Sequence, residues 1–202
     1  KLAKCDEEAA KEAAPAAFEK MLPGKDSLPA VMIAIDLGIE QPIWDWITAM
    51  QSDDMSGTIG ALGKACAEDE EVEAFLLTTH EQLGDTFWEQ RWHRGLSYCR
   101  TEGIRSMLSS AVVSETVGKD VADRALFLSV VEVYARNLQG EAIPTLKEFA
   151  KSLSDEEEIT YVVSAFADAA SVGSVSATDP KGAEAAVAAL VELGPDLPVR
   201  AV

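Results

Sequence analysis

Arginine and aromatic side chains are concentrated in the segment 85–105 of a chain that is otherwise strongly acidic. At 100° per residue, a helix through this segment places one group of them on a single face: Phe87, Arg91, Arg94 and Tyr98. Arginine forks bind carboxylate and phosphate oxygens, and arginine and aromatic residues dominate binding hot spots. The pattern therefore predicts a docking site for an acidic or phosphorylated segment, or for a carboxylate, with Arg100 and Arg105 close by.

A second interpretation of the same segment is structural, and the sequence slightly favours it. Arg91 and Arg94 would then pair with the acidic residues at 68–73, and the aromatic rings would pack between helices. On this helical projection the buried face carries four residues: Trp88, Trp92, Gly95 and Cys99. Both interpretations remain open from the sequence alone.

Trp44 is a further candidate for contact with a partner. Ile43, Trp46, Ile47 and Met50 follow the i, i+3, i+4, i+7 spacing of a buried helical stripe, and Trp44 lies off that stripe. A tryptophan in such a place contacts a partner in some proteins, and more often covers the seam between adjacent helix pairs.

Three cysteines allow at most one disulfide within the chain. Cys66 and Cys99 occupy equivalent places in neighbouring second helices, 33 residues apart, so they form a disulfide only if they face each other across the seam. The spacing favours two buried small residues over a disulfide. A disulfide would indicate an oxidising compartment, and Cys5 stays unpaired in either case.

The sequence predicts no catalytic residues, no metal site and no cofactor. The two histidines, His80 and His93, lie on different predicted helices, and Glu89 with His93 supplies only two ligands. The chain has no glycine-rich phosphate loop and no Gly-x-Ser-x-Gly motif. The acidic runs 68–71 and 155–158 lie where helices begin, where negative charge complements the helix dipole.

Charge and hydropathy limit the classes of partner. With 17 basic and 35 acidic residues, the formal net charge is −18, which makes nucleic acid and anionic membranes poor partners. No apolar run approaches the roughly 20 residues that span a bilayer, so we expect a soluble protein without membrane insertion. The chain begins without Met, which fits either a cytoplasmic protein or an exported one whose signal segment has been removed.

These residues must be positioned by helices, because apolar side chains recur at helical spacing and no segment alternates as a strand does. Glycine, proline and acidic runs cut the chain into short helices that pair at intervals of 30 to 39 residues. We predict a single all-α repeat domain over 1–202. Its approximate units are 6–39, 40–68, 69–103, 104–139, 140–178 and an incomplete 179–202.

The segment 141–170 resembles a HEAT-type, armadillo-like repeat. Its first helix has the Pro-x-Leu pattern at 144–146, an acidic turn follows at 155–158, and the second helix ends in small residues. Shorter similar stretches occur at 61–69 and 186–194. The chain departs from the family pattern because its second helices lack the usual Val-Arg pair and its third unit is unusually aromatic and basic.

The resemblance implies a right-handed α-solenoid of about five antiparallel helix pairs plus a terminal helix. It also implies a non-catalytic scaffold that binds a protein or peptide on its inner, second-helix surface. Two alternatives stay open. One is a segment of a larger structural solenoid, which predicts exposed apolar residues at 1–20 or 183–202. The other is a HEAT-like lyase or substrate-presenting enzyme, which needs acidic and tyrosine residues in a deep groove.

Overall fold

The computed structural model describes residues 7–22, 27–49, 56–113, 124–153, 156–170 and 180–193. Within these ranges the chain is helical and contains no strand, so the predicted all-α class is confirmed. The α-helices are α1 (Glu7–Met21), α2 (Ser27–Leu37), α3 (Gln41–Ala49), α4 (Ser56–Ala65), α5 (Glu70–Leu83), α6 (Asp85–Glu89), α7 (Glu102–Val113), α8 (Arg124–Leu138), α9 (Ile143–Ser152), α10 (Glu156–Ala169) and α11 (Pro180–Leu193). Two 3₁₀ helices, Trp92–Tyr98 and Gln139–Ala142, lie among them.

The helices follow one another in the order that the sequence indicates, and α7 begins two residues before the predicted unit boundary at 104. The chain forms two compact units, an N-terminal unit, Lys1–Gly95, and a C-terminal unit, Leu96–Val202. The single repeat domain over 1–202 stays a prediction.

In the N-terminal unit, α2 packs against α1, α4 and α5, and α3 packs against α1 and α5. Helix α2 is apolar on most sides because neighbours surround it, and Ala30, Val31 and Ala34 are fully buried. The Ser27 and Thr58 hydroxyls form a buried hydrogen bond between α2 and α4. This hydrogen bond satisfies two hydroxyl groups that are buried among apolar side chains of the unit.

Helix α5 shows how the acidic runs act. Asp69 is its N-cap, and its carboxylate accepts hydrogen bonds from the backbone N–H groups of Glu71 and Val72 at 3.0 and 3.4 Å. Gly84 ends the helix with a positive φ of 52°. The acidic start of this helix is thus used for capping, as the sequence predicts.

In the C-terminal unit, α8 packs against α7 and α10, and α11 packs against α9 and α10. Nine of the 15 residues of α8 are buried. Arg124, at its start, forms an ion pair with Glu158 of α10 and lies 5.0 Å from the ring centre of Phe127 and 5.6 Å from that of Phe149. These contacts tie α8, α9 and α10 together.

Candidate functional site

The arginine-rich segment is not one continuous helix. Helix α6 ends at Glu89, Arg91 adopts a left-handed φ of 61°, and a 3₁₀ helix begins at Trp92. Because a 3₁₀ helix has three residues per turn, the projection at 100° per residue does not apply across this break. The predicted single face of Phe87, Arg91, Arg94 and Tyr98 is therefore wrong.

Phe87 lies in the core of the N-terminal unit, with 0% of its surface exposed. Its ring centre is 5.2 Å from those of His80 and Trp88 and 6.2 Å from that of Trp92. The prediction that Phe87 contacts a partner is corrected here: its ring is used in aromatic packing. Trp88 and Trp92 are buried, as the projection predicts.

His93 is also fully buried, in contact with the Trp88 ring at 5.9 Å between ring centres. Burial, together with the positive charges of Arg94 and Arg91, lowers its pKa to about 3, against the opposing effect of a hydrogen bond with the Trp88 backbone. Its Nδ1 atom has no hydrogen-bond partner among the described residues. A neutral, solvent-inaccessible imidazole belongs to the core.

The 3₁₀ helix approaches α4 through two glycines. A Cβ atom on Gly63 would lie 1.9 Å from the carbonyl oxygen of Gly95, and one on Gly95 would lie 2.3 Å from the carbonyl oxygen of Ile59. These distances leave no room for a side chain at either position. Backbone contact between α4 and Gly95 thus fixes the chain directly after Arg94 in the N-terminal unit.

The arginines themselves remain at the surface. Arg91 and Arg94 are exposed in the N-terminal unit, and Arg91 forms no ion pair with another described residue. The expected pairing of Arg91 with the acidic residues at 68–73 is therefore not seen in the described part of the chain. Tyr98 and Arg100 are exposed in the C-terminal unit, with half of the Tyr98 surface accessible.

Trp44 is half-buried and bonded within the N-terminal unit. Its Nε1 atom donates a hydrogen bond to Oγ1 of buried Thr79, at 3.1 Å, which joins α3 to α5. This contact agrees with the interpretation that Trp44 covers a seam between helix pairs. Its role as a partner contact stays a prediction.

The C-terminal unit contains an open depression of about 520 Å³ beside the other two predicted arginines. Its lining combines two arginines, two glutamates and two serines around one leucine: Arg100, Glu102, Arg105, Ser106, Ser109, Leu138 and Glu141. Arg105 donates from Nη1 to both carboxylate oxygens of Glu141, each at 3.1 Å. Its Nε atom is buried and has no acceptor among the described residues.

Arg100 differs from Arg105 because it is exposed and has no hydrogen bond or ion pair with another described residue. Its place is set by the buried side chain of Asn137, whose Nδ2 atom donates to the carbonyl oxygens of Leu96 and Cys99. These two bonds hold the chain just before Arg100. The apolar pattern of α8 gave no signal for this role of Asn137.

Cys66 and Cys99 are both buried, as predicted, and both are disulfide-bonded. Neither cysteine is therefore the reduced thiol that the spacing favours. Cys5 lies outside the described residues.

No protein-family model, curated protein or solved structure matches this chain. Among the described residues, no helix is both long and apolar enough to cross a membrane. No group of three or more His, Cys, Asp or Glu side chains in that part of the chain is arranged to hold a metal ion.

Proposed function

We propose that this chain is a non-catalytic repeat scaffold that binds a protein or peptide, and that the depression beside Arg100 and Arg105 receives an acidic group of that partner. The observation that carries the proposal is the exposed Arg100 at the edge of a depression that also contains Arg105 and two serine hydroxyls. Arginine forks and hydroxyls are donors that suit carboxylate oxygens.

The contacts within each unit support the scaffold part of the proposal. In the N-terminal unit α1 packs on α2 and α3, and α2 on α4; in the C-terminal unit α8 packs on α10, and α9 on α11. These contacts join neighbouring or next-but-one helices, as in stacked helix pairs, while α2 also packs on α5. A right-handed solenoid is the architecture we propose on this basis.

The proposed binding place differs from the one that the sequence predicts. The sequence predicts binding on the surface of the second helices, whereas the depression is lined by Arg105, Ser106 and Ser109 of α7, a first helix, together with Leu138 at the end of α8. We therefore place the acidic contact at the end of the fourth helix pair, next to the turn that leads into α9.

The charge distribution explains why the contact would be local. Four of the 17 basic residues lie between positions 91 and 105, on a chain of net charge −18. An acidic partner is repelled by the net negative charge and attracted near these arginines. Such an arrangement selects orientation more than it increases affinity.

The test uses a fluorescein-labelled hexa-aspartate peptide and fluorescence anisotropy. We expect Arg100→Glu to weaken binding about 10- to 100-fold, because a hydrogen bond to a charged group is worth about 1.5–3 kcal/mol. Lys20→Glu is the matched control, since Lys20 is exposed in the N-terminal unit and the substitution changes the net charge equally. Equal loss in both variants would show that only net charge matters.

A parallel variant tests the other two predicted arginines. Arg91→Glu combined with Arg94→Glu changes the exposed basic side chains of the N-terminal unit and leaves the depression intact. We expect this double variant to retain binding within a few fold of the wild type. A loss larger than that of Arg100→Glu would move the proposed site to the N-terminal unit.

One observation favours the second candidate function, a segment of a structural solenoid. Val187 and Val191 lie one turn apart on α11 and are 60% and 73% exposed. Helix α1, in contrast, exposes the ion pair of Lys11 with Glu7. An exposed apolar face suits stacking against a further helix. If so, the Val187→Lys, Val191→Lys variant should show less self-association in sedimentation velocity than the wild type; unchanged self-association would count against this candidate.

A further inference from the structure

The two partners of the ion pair in the depression differ in exposure. The Arg105 side chain is 30% exposed, whereas that of Glu141 is 68% exposed. Arg105 lies on α7, and Glu141 lies on the 3₁₀ turn Gln139–Ala142. Glu141 is therefore the more exposed partner of an ion pair whose two residues both line the depression.

The turn that carries Glu141 is fixed at its C-terminal side. Ala142 and Ile143 are buried, and the N–H group of Ile143 donates to the carbonyl oxygen of Gly140. The Glu141 side chain can consequently leave Arg105 by rotating about its own bonds, without movement of the turn. An exposed glutamate rotates in this way on the picosecond to nanosecond timescale.

The depression has more hydrogen-bond donors than Glu141 uses. Glu141 occupies only the Nη1 atom of Arg105, whose buried Nε has no acceptor in the described part of the chain. Ser106 and Ser109, three residues apart on α7, add two hydroxyls, and Arg100 adds a second guanidinium. This donor set exceeds what one intramolecular carboxylate satisfies.

We propose that Glu141 is an internal competitor that occupies Arg105 in place of the partner's carboxylate. This inference rests on the proposed function, because it concerns the same depression. A partner carboxylate displaces Glu141 from Arg105 and gains Arg100 and the serine hydroxyls in addition. Glu141 thereby lowers the affinity for weakly acidic ligands. Ligands that engage both arginines still bind.

The competition is modest in size. An exposed ion pair contributes at most about 1 kcal/mol, so its loss on binding reduces affinity by up to about fivefold. Glu141 thus tunes binding and does not block it. Salt weakens both the internal pair and the partner contact, so the measurement belongs at low ionic strength.

The experiment measures hexa-aspartate binding by anisotropy for Glu141→Gln and for Glu102→Gln. Glu102 also lines the depression, and its substitution removes the same charge; no ion pair to it is seen within the described ranges. We expect Glu141→Gln to bind two- to fivefold more tightly than Glu102→Gln. In an Arg105→Gln background the two substitutions should have equal effects, because there is then no guanidinium for Glu141 to occupy.

The outcomes separate the two proposals. If the wild type binds in an Arg100-dependent manner and Glu141→Gln equals Glu102→Gln, the competition is refuted and the proposed function stands. If neither the wild type nor Glu141→Gln binds the peptide, both fail. Tighter binding by Glu141→Gln that persists in the Arg105→Gln background also refutes the competition. Circular dichroism and the variant Glu141→Ala check that a folding defect does not explain the result.

Discussion

Acid should destabilise the N-terminal unit through His93, and the size of this effect follows from its burial. The pKa of His93 is lowered from 6.5 to about 3, chiefly because the charged form loses its hydration in the core. Between these values the unfolded chain binds a proton that the folded chain does not, so the free energy of unfolding decreases as the pH falls below 6.5. At 1.36 kcal/mol per pH unit, the penalty is about 2 kcal/mol at pH 5 and about 5 kcal/mol at pH 3.

The measurement compares the wild type with His93→Gln in urea at pH 7.5 and at pH 5.0. All four tryptophans, at positions 44, 46, 88 and 92, belong to the N-terminal unit, so tryptophan fluorescence follows the unfolding of that unit. Protonation of carboxylates affects the wild type and His93→Gln equally. The packing that the substitution removes lowers the stability of His93→Gln equally at both pH values. We expect the wild type to lose about 2 kcal/mol more than His93→Gln over this interval.

His80→Gln is the matched control, because His80 is half-buried and its pKa is lowered in the same direction by burial, against the attraction of Glu81. It should remove only a small part of the acid sensitivity. If His93→Gln loses as much stability as the wild type between pH 7.5 and pH 5.0, then His93 is not held neutral in the core and the reasoning fails.

Two further predictions concern glycine packing and the disulfide. Gly63→Ala should destabilise the N-terminal unit by about 1 to 3 kcal/mol or more, because the new methyl group meets the Gly95 backbone. Gly60→Ala is the control: nothing lies within 4 Å of the new methyl group, so this substitution should be neutral or stabilise the unit by up to about 1 kcal/mol. Equal effects of the two substitutions in urea unfolding would contradict the close contact. Peptide mapping without reductant should recover Cys66 linked to Cys99, and reduction should lower stability by about 4 kcal/mol from loop-closure entropy over 33 residues; recovery of both as reduced thiols would disprove the link.

The helices are predictable because local signals determine them. Glycine and proline positions and the 3.6-residue spacing of apolar side chains indicate an all-α chain and place most of its helices within a few residues. The acidic run before α5 is equally informative, since Asp69 caps the helix. Such features depend on residues close together in sequence.

The arginine segment is less predictable, because long-range contacts determine its conformation. Arg91 adopts a left-handed φ, and Gly95 contacts the backbone of α4. The spacing of apolar residues predicts neither feature. Phe87, predicted on the exposed face, is buried. Trp88 and Trp92 are buried as predicted, although they lie on opposite sides of the break at Arg91.

The sequence predicts only some of the residues that form the depression. Arg100 and Arg105 are candidates because of their charge, whereas Glu141 and Asn137 lie more than 30 positions further along the chain. Glu141 carries no unusual feature on its own in a protein with 35 acidic residues. Its importance depends on the distance to Arg105, which only the fold defines.

The contact between Gly63 and Gly95 also constrains evolution. Neither glycine can acquire a side chain while the other helix stays where it is, so the two positions should change together or not at all. Most core positions tolerate exchange among apolar residues of similar size. Two glycines 32 positions apart, one in each of two successive helix pairs, are therefore a more durable mark of ancestry than the apolar pattern, and distant relatives of this chain should retain both.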